Sequence, residues 1–188
     1  LPPPVKPEKK KKSTYDPKKK TKPNAKCHCG SGNKYKKCCR VLDLLLRGTD
    51  GSRFLLVACD EGDATAVNAL LAVGVDVNCK EATGWTPLMS ACRNNHVKVV
   101  NALLARKEIQ INQVNNNGAT PLCTACKKDH VKVINALLAK KEIQINQGDT
   151  EFLTTSRPSD GMTLLTSCAY AGRTDACRLL LNQGVDIN

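Results

Sequence analysis

Apolar residues recur through most of the chain at the spacing of short amphipathic helices, and the pattern repeats itself. The stretch HVKVVNALL starts at His96, and the nearly identical HVKVINALL starts 34 positions later, at His130. A motif of the form IQIN follows each stretch and leads into an extended, hairpin-like finger. The first stretch carries its apolar residues at helical spacing: Val99, Val100, Leu103 and Leu104.

A shorter helix is predicted ahead of each apolar stretch by its start and stop signals. Thr86 and Thr120 are suitable N-caps, because a hydroxyl can accept hydrogen bonds from the free N–H groups of a first turn. A proline follows each of them, at the position where a missing N–H has no cost; Thr163 stands at the same place in a later copy. The turn to the second helix then needs a residue that tolerates a left-handed backbone: Gly62, Asn95, Asp129 and Gly172.

These copies resemble ankyrin repeats, a family of α-helical solenoids. The resemblance rests on GWTPLMSAC from Gly84, GATPLCTAC from Gly118 and the two apolar stretches, with weaker copies on either side. It implies an α fold of stacked helix–turn–helix units with hairpin fingers. About four copies are expected in residues 41–188, the last one truncated, with residues 41–47 as a capping helix. The resemblance also implies a groove, lined by inner helices and fingers, that binds another protein.

The partner-binding residues are expected on the inner helices and fingers of this groove. Trp85 is the only tryptophan; it lies near a predicted finger tip, and contact with a partner and packing against the next finger are equally good explanations for it. Residues 148–160 lengthen a later finger by about nine residues, and such insertions often contact partners. The predicted contact residues are Trp85, Met89, Arg93, Asn94, Cys123, Lys127, Lys128, Phe152 and Arg157.

Composition and charge indicate a basic arm joined to a neutral body. Aromatic residues are 3% of the chain and hydrophobic residues 41%, which favours a core of small side chains over the aromatic-lined pockets of a large enzyme. The net charge of +12 lies in the first forty residues, where fourteen Lys and Arg stand against Glu8 and Asp16. Residues 1–26 have almost nothing to bury, so we expect a disordered arm rich in Lys and Pro.

The basic arm has three candidate roles. The cations within residues 6–22 would bind nucleic acid or ribosomes without sequence preference, through counterion release. A nuclear import signal and a solubilising tail are the other two interpretations.

Four cysteines lie within KCHCGSGNKYKKCC, residues 26–39. Four thiolates complete the tetrahedron of a structural zinc site and leave no position for a catalytic water. The segment resembles the SEC-C zinc-binding motif, found at the C-terminus of the bacterial preprotein translocase ATPase, where it serves as a docking piece for a chaperone and for ribosomes. The resemblance implies one structural Zn2+ in a module of residues 27–40, with four ligands: Cys27, Cys29, Cys38 and Cys39.

Other interpretations of this cysteine cluster stay open. A disulfide within Cys-x-Cys or Cys-Cys would be strained, and a redox pair would favour Cys-x-x-Cys at a helix start. His28, which stands where the motif usually has proline, could also replace one cysteine as a zinc ligand.

The cysteines of the repeats are expected to act as small hydrophobic residues. Cys59, Cys92 and Cys126 occupy one repeat position, where a small buried side chain is expected, whereas Cys79 and Cys123 are expected to be more exposed. Repeat-equivalent cysteines would lie one repeat thickness apart, so we predict no disulfides and a reducing compartment, cytoplasmic or nuclear.

We expect neither catalysis nor a membrane partner. The chain contains no Gly-rich phosphate loop, no convergent pair of carboxylates and no apolar run near the ~18 residues that span a bilayer. His96 and His130 stand at equivalent turn positions, which favours structural roles, and no small-molecule substrate is expected. Because the chain starts at Leu1 and stops at Asn188 within a repeat, we interpret it as a fragment.

Overall fold

The computed structural model describes residues 51–145 and 163–184, and within these ranges the regular structure is entirely α-helical. The predicted arm, zinc module, capping helix and long finger, with Phe152 and Arg157, lie outside the described residues. The helices are α1 Gly51–Glu61, α2 Ala64–Ala72, α3 Pro87–Arg93, α4 Val97–Leu104, α5 Pro121–Lys127, α6 Val131–Leu138, α7 Leu164–Tyr170 and α8 Thr174–Asn182.

The shorter helices begin where the sequence predicts. The Thr86 hydroxyl accepts a hydrogen bond from the Met89 N–H at 3.2 Å, and the Thr120 hydroxyl accepts one from the Cys123 N–H at 3.1 Å. Thr163 does the same for α7, with a distance of 3.3 Å to the backbone nitrogen of Thr166. Each cap satisfies one of the N–H groups that a helix leaves without a partner at its start.

The turns between paired helices hold two non-glycine residues in the left-handed region. Asn95 has a φ of 58° and Asp129 a φ of 55°. Asp129 has a second role, because its Oδ1 accepts a hydrogen bond from the Ala176 N–H at 3.0 Å. Ala176 lies in the first turn of α8, so the carboxylate of one repeat caps a helix of the next repeat.

The helix pairs stack in two layers, with α1, α3, α5 and α7 in one layer and α2, α4, α6 and α8 in the other. The core lies between and within the layers, and Leu70, Leu103 and Leu137 are fully buried there. Burial of one such leucine contributes about 2 kcal/mol to stability. The predicted α solenoid is therefore confirmed for the described residues.

Polar side chains tie each repeat to the one before it. The Nε2 atom of His96 lies 2.9 Å from the Asp60 carbonyl oxygen, and that of His130 lies 3.0 Å from the Arg93 carbonyl oxygen. The backbone N–H of Asn116 donates a hydrogen bond to the carbonyl oxygen of Thr83, in the preceding finger, at 3.1 Å. The two histidines thus stabilise the contacts between neighbouring repeats.

Two predictions about cysteines are wrong. Cys79 is 9% exposed and Cys123 is 1% exposed, although both were expected nearer the surface. Cys79 lies against α1, with its Sγ 3.7 Å from the Ser52 carbonyl oxygen. Cys123 lies in the first turn of α5, where the Thr120 hydroxyl donates to its Sγ at 3.0 Å. The burial predicted for the repeat-equivalent cysteines is confirmed: Cys59, Cys92 and Cys126.

Candidate functional site

The exposed C-terminal ends of the first-layer helices form a row, which we call the helix-end row. In α3, every residue before Arg93 is buried, and in α5 every residue before Lys127 is buried. These two helices are therefore exposed to solvent only at their C-terminal ends. The helix-end row consists of Asp60, Arg93, Asn94, Lys127, Lys128 and Tyr170.

Arg93 is held over the ring of Trp85. The guanidinium carbon lies 4.7 Å from the ring centroid, within the range in which a cation is attracted to the face of an indole. Trp85 is half-buried, so part of the residue remains accessible to a partner. This contact gives an exposed arginine a fixed position.

Asp60 joins the first repeat to this pair. Its Oδ1 accepts hydrogen bonds from Arg93 Nη2 at 2.8 Å and from Asn94 Nδ2 at 2.7 Å. The hydrogen bond from Arg93 is the largest cause that holds the pKa of the Asp60 carboxyl below its ordinary value of 3.8. Desolvation opposes this effect, and the hydrogen bond from Asn94 lowers the pKa further. The carboxylate is thus ionised at neutral pH and shared by two donors of the following repeat.

Of the predicted contact residues, the structure brings three together and buries two others. Trp85, Arg93 and Asn94 form one cluster, with Lys127 half-buried and Lys128 exposed in the next repeat. Met89 is fully buried and Cys123 is 1% exposed, so neither side chain lies on the surface of the described repeats. The physical reason is that α3 lies between α1 and α5, and α5 between α3 and α7, which leaves their first turns no free face.

Sequence reasoning missed Asp60. A signal was available, because Asp60 precedes Arg93 by 33 residues and so occupies the same repeat position with the opposite charge. Opposite charges at equivalent positions of neighbouring repeats can pair across the stack.

Comparison with known families and proteins gives a consistent picture. A family model described as ankyrin repeats in three copies matches residues 55–149, and a model of a single ankyrin repeat matches residues 160–188. The ankyrin repeat protein YahD of Escherichia coli (strain K12) is 36% identical over 61 residues, which are 32% of this chain. The 2-5A-dependent ribonuclease of Mus musculus is 42% identical over 52 residues, which are 27% of this chain.

The chain covers only part of each of these relatives, 30% of the bacterial protein and 7% of the ribonuclease. The similarity therefore concerns the repeats. Among the described helices, none combines the length and the apolar character that crossing a membrane requires.

Proposed function

The chain belongs to the ankyrin repeat family, and from this premise we propose that it is a non-enzymatic adaptor that binds another protein through the helix-end row and Trp85. The observation that carries the proposal is the cluster of Trp85, Arg93, Asn94 and Asp60. Tryptophan and arginine are the residues most enriched at the energetic centres of protein interfaces. Because the Arg93 side chain is already held by Trp85 and Asp60, binding would cost little additional side-chain ordering.

A binding role fits the other polar groups of the described repeats. The imidazoles of His96 and His130 are engaged with backbone carbonyl groups of the preceding repeat, and the Asp129 carboxylate caps α8. These groups therefore stabilise the contacts between repeats. This arrangement supports the role of a scaffold that presents its surface to a partner.

Charge reversal on the helix-end row tests the proposal, with a matched change on the opposite layer. The variant R93E/K128E changes two cations of the row, and the control K98E/K132E changes two exposed cations of α4 and α6 by the same total charge. The full chain and both variants are used to isolate partners from cells. We expect R93E/K128E to lose partners that the wild type and K98E/K132E retain; equal recovery by all three would refute the helix-end row as the binding surface.

We further propose that residues 27–40 form a structural zinc module of the SEC-C type. Support comes from the donor set, because Cys27, Cys29, Cys38 and Cys39 provide the four thiolates that a closed zinc site requires. When bound, the metal would supply folding free energy, on the order of 10 kcal/mol, to a segment with no core of its own. The neighbouring lysines would offset the negative charge of four thiolates.

Metal analysis of the purified full chain tests this module. We expect one zinc per chain in the wild type and in the control C177S, and none in C27S/C38S. Zinc retained by C27S/C38S would refute these ligands. A reducing, intracellular compartment is part of this proposal, because such a compartment keeps thiols reduced and no disulfide joins the cysteines in the part of the chain that the structure describes.

The basic arm offers a second candidate function. The excess of cations in residues 6–22 favours salt-sensitive, sequence-independent contact with nucleic acid or ribosomes. Deletion of residues 1–25 tests it, since RNA binding that persists without the arm and at high salt would refute an electrostatic contact made by the arm.

A further inference from the structure

We propose that the helix-end row selects an acidic segment of its protein partner, and that Asp60 occupies the carboxylate site until such a segment displaces it. This inference rests on the proposed function, because it specifies the chemistry of the partner at the same surface. It assigns separate roles to three groups: Arg93 and Asn94 form a carboxylate clamp, Trp85 fixes the clamp, and Asp60 is its internal competitor.

In the structure, the Asp60 carboxylate occupies the carboxylate clamp. Two donors, Arg93 Nη2 and Asn94 Nδ2, converge on a single carboxylate oxygen at 2.8 and 2.7 Å. Asn94 also donates to the Asp60 carbonyl oxygen, at 3.2 Å. A carboxylate supplied by a partner would meet the same two donors and form charge-assisted hydrogen bonds with them.

Charge along the helix-end row indicates where the partner's acidic residues would lie. The end of α1 carries two acids, Asp60 and Glu61. Lys127 at the end of α5, and Lys128 directly after it, stand at the positions equivalent to Arg93 and Asn94. The row is therefore acidic at α1 and basic at α3 and α5. An extended acidic segment that runs over α3 and α5 would match this distribution, because opposite potentials across an interface favour association.

A carboxylate of the partner can displace Asp60 because the ion pair between Asp60 and Arg93 is exposed to solvent. The side chains of Arg93 and Asp60 are 44% and 50% exposed. Ion pairs with this exposure change an equilibrium by no more than about fivefold. Asp60 would therefore reduce the affinity for an acidic segment by a similar factor, and an isolated carboxylate would compete less well than a segment that also meets the lysines of α5.

The fluorescence of Trp85 provides the test, since it is the only tryptophan of the chain and contacts Arg93 directly. The full chain is titrated with a hexaglutamate peptide at physiological salt. We expect a saturable change in the wild type, a Kd about two- to fivefold lower in D60N, and loss of the change in R93A. The control D175N removes the same charge from the exposed Asp175–Arg178 pair of α8 and should bind like the wild type.

Three outcomes would overturn the inference. These are D60N and D175N with equal affinities, R93A that responds like the wild type, and a hexauridylate RNA that changes Trp85 fluorescence at lower concentrations than hexaglutamate. If R93E/K128E loses a cellular partner but hexaglutamate leaves Trp85 unchanged, the adaptor proposal stands and the acidic-segment inference fails. If hexaglutamate binds as expected but no partner depends on the row, the clamp stands and the adaptor proposal fails.

Discussion

The guanidinium carbon of Arg93 lies 4.7 Å from the centroid of the Trp85 ring, and this contact joins the end of α3 to the residue directly before its N-cap, Thr86. Arg93 also bonds Asp60 of the preceding repeat at 2.8 Å. The arginine therefore connects two repeats at the surface and is held on two sides.

The Asp60 contact should make stability depend on pH in the acid range. Because folding lowers the pKa of this carboxyl below 3.8, its contribution is complete above the unfolded value and is lost as pH falls through the folded value. The contribution is under about 1 kcal/mol, since the pair is exposed. Urea unfolding at pH 6 and pH 3 should show a larger loss of stability in the wild type than in D60N; equal losses would contradict the assignment.

The threonine caps should each contribute to stability. Thr86→Ala removes the acceptor for the Met89 N–H and should lower the free energy of unfolding by about 1 kcal/mol. The control Thr65→Ala changes an exposed residue within α2, where alanine is the better helix former, and should leave stability unchanged or slightly higher. Urea denaturation measures both, and a loss no greater in Thr86→Ala than in the control would rule out the cap's contribution.

Two left-handed turn residues should respond differently to glycine. Asn95→Gly relieves a φ of 58° and should raise the free energy of unfolding by up to about 1 kcal/mol. Asp129→Gly relieves a similar φ but removes the cap on Ala176, which costs about 1 kcal/mol. Thermal unfolding should therefore rank Asn95→Gly above the wild type and Asp129→Gly at or below it. The same gain in both variants would show that the inter-repeat cap contributes nothing.

The cysteines of the stack should differ in reactivity. Burial raises the pKa of Cys59 and Cys92, and both side chains are fully enclosed. Cys177 is half-buried, although desolvation raises its pKa as well. Iodoacetamide labelling followed by peptide mass mapping should modify Cys177 first and the enclosed thiols only after unfolding. Labelling of Cys92 as fast as Cys177 would contradict the buried position.

Local signals in the sequence predicted the elements of each repeat. Thr86 and Thr120 act as caps, and Asn95 and Asp129 adopt the left-handed turn, because hydrogen bonding and backbone sterics at these positions depend on only a few neighbouring residues. The period of the repeats predicted the stack in the same way, since each unit must bury its apolar side against another unit.

The surface was harder to predict because it depends on contacts between repeats. Met89 and Cys123 were expected in the groove, but the helices on either side enclose them. Asp60 was missed because its role comes from Arg93 and Asn94, more than thirty residues away. The sequence of a single repeat therefore does not determine whether a side chain is exposed to a partner, buried, or bonded to the neighbouring repeat.

The central claim is that the helix-end row binds a protein. Site-specific photocrosslinking tests this claim most directly. A photoreactive residue replaces Tyr170, an exposed member of the row outside the clamp, in one variant and Asn101, an exposed residue on α4, in the other. Our account predicts a discrete protein adduct from position 170 that disappears in R93E/K128E, and no such adduct from position 101. Adducts from position 101 with none from position 170 would contradict it.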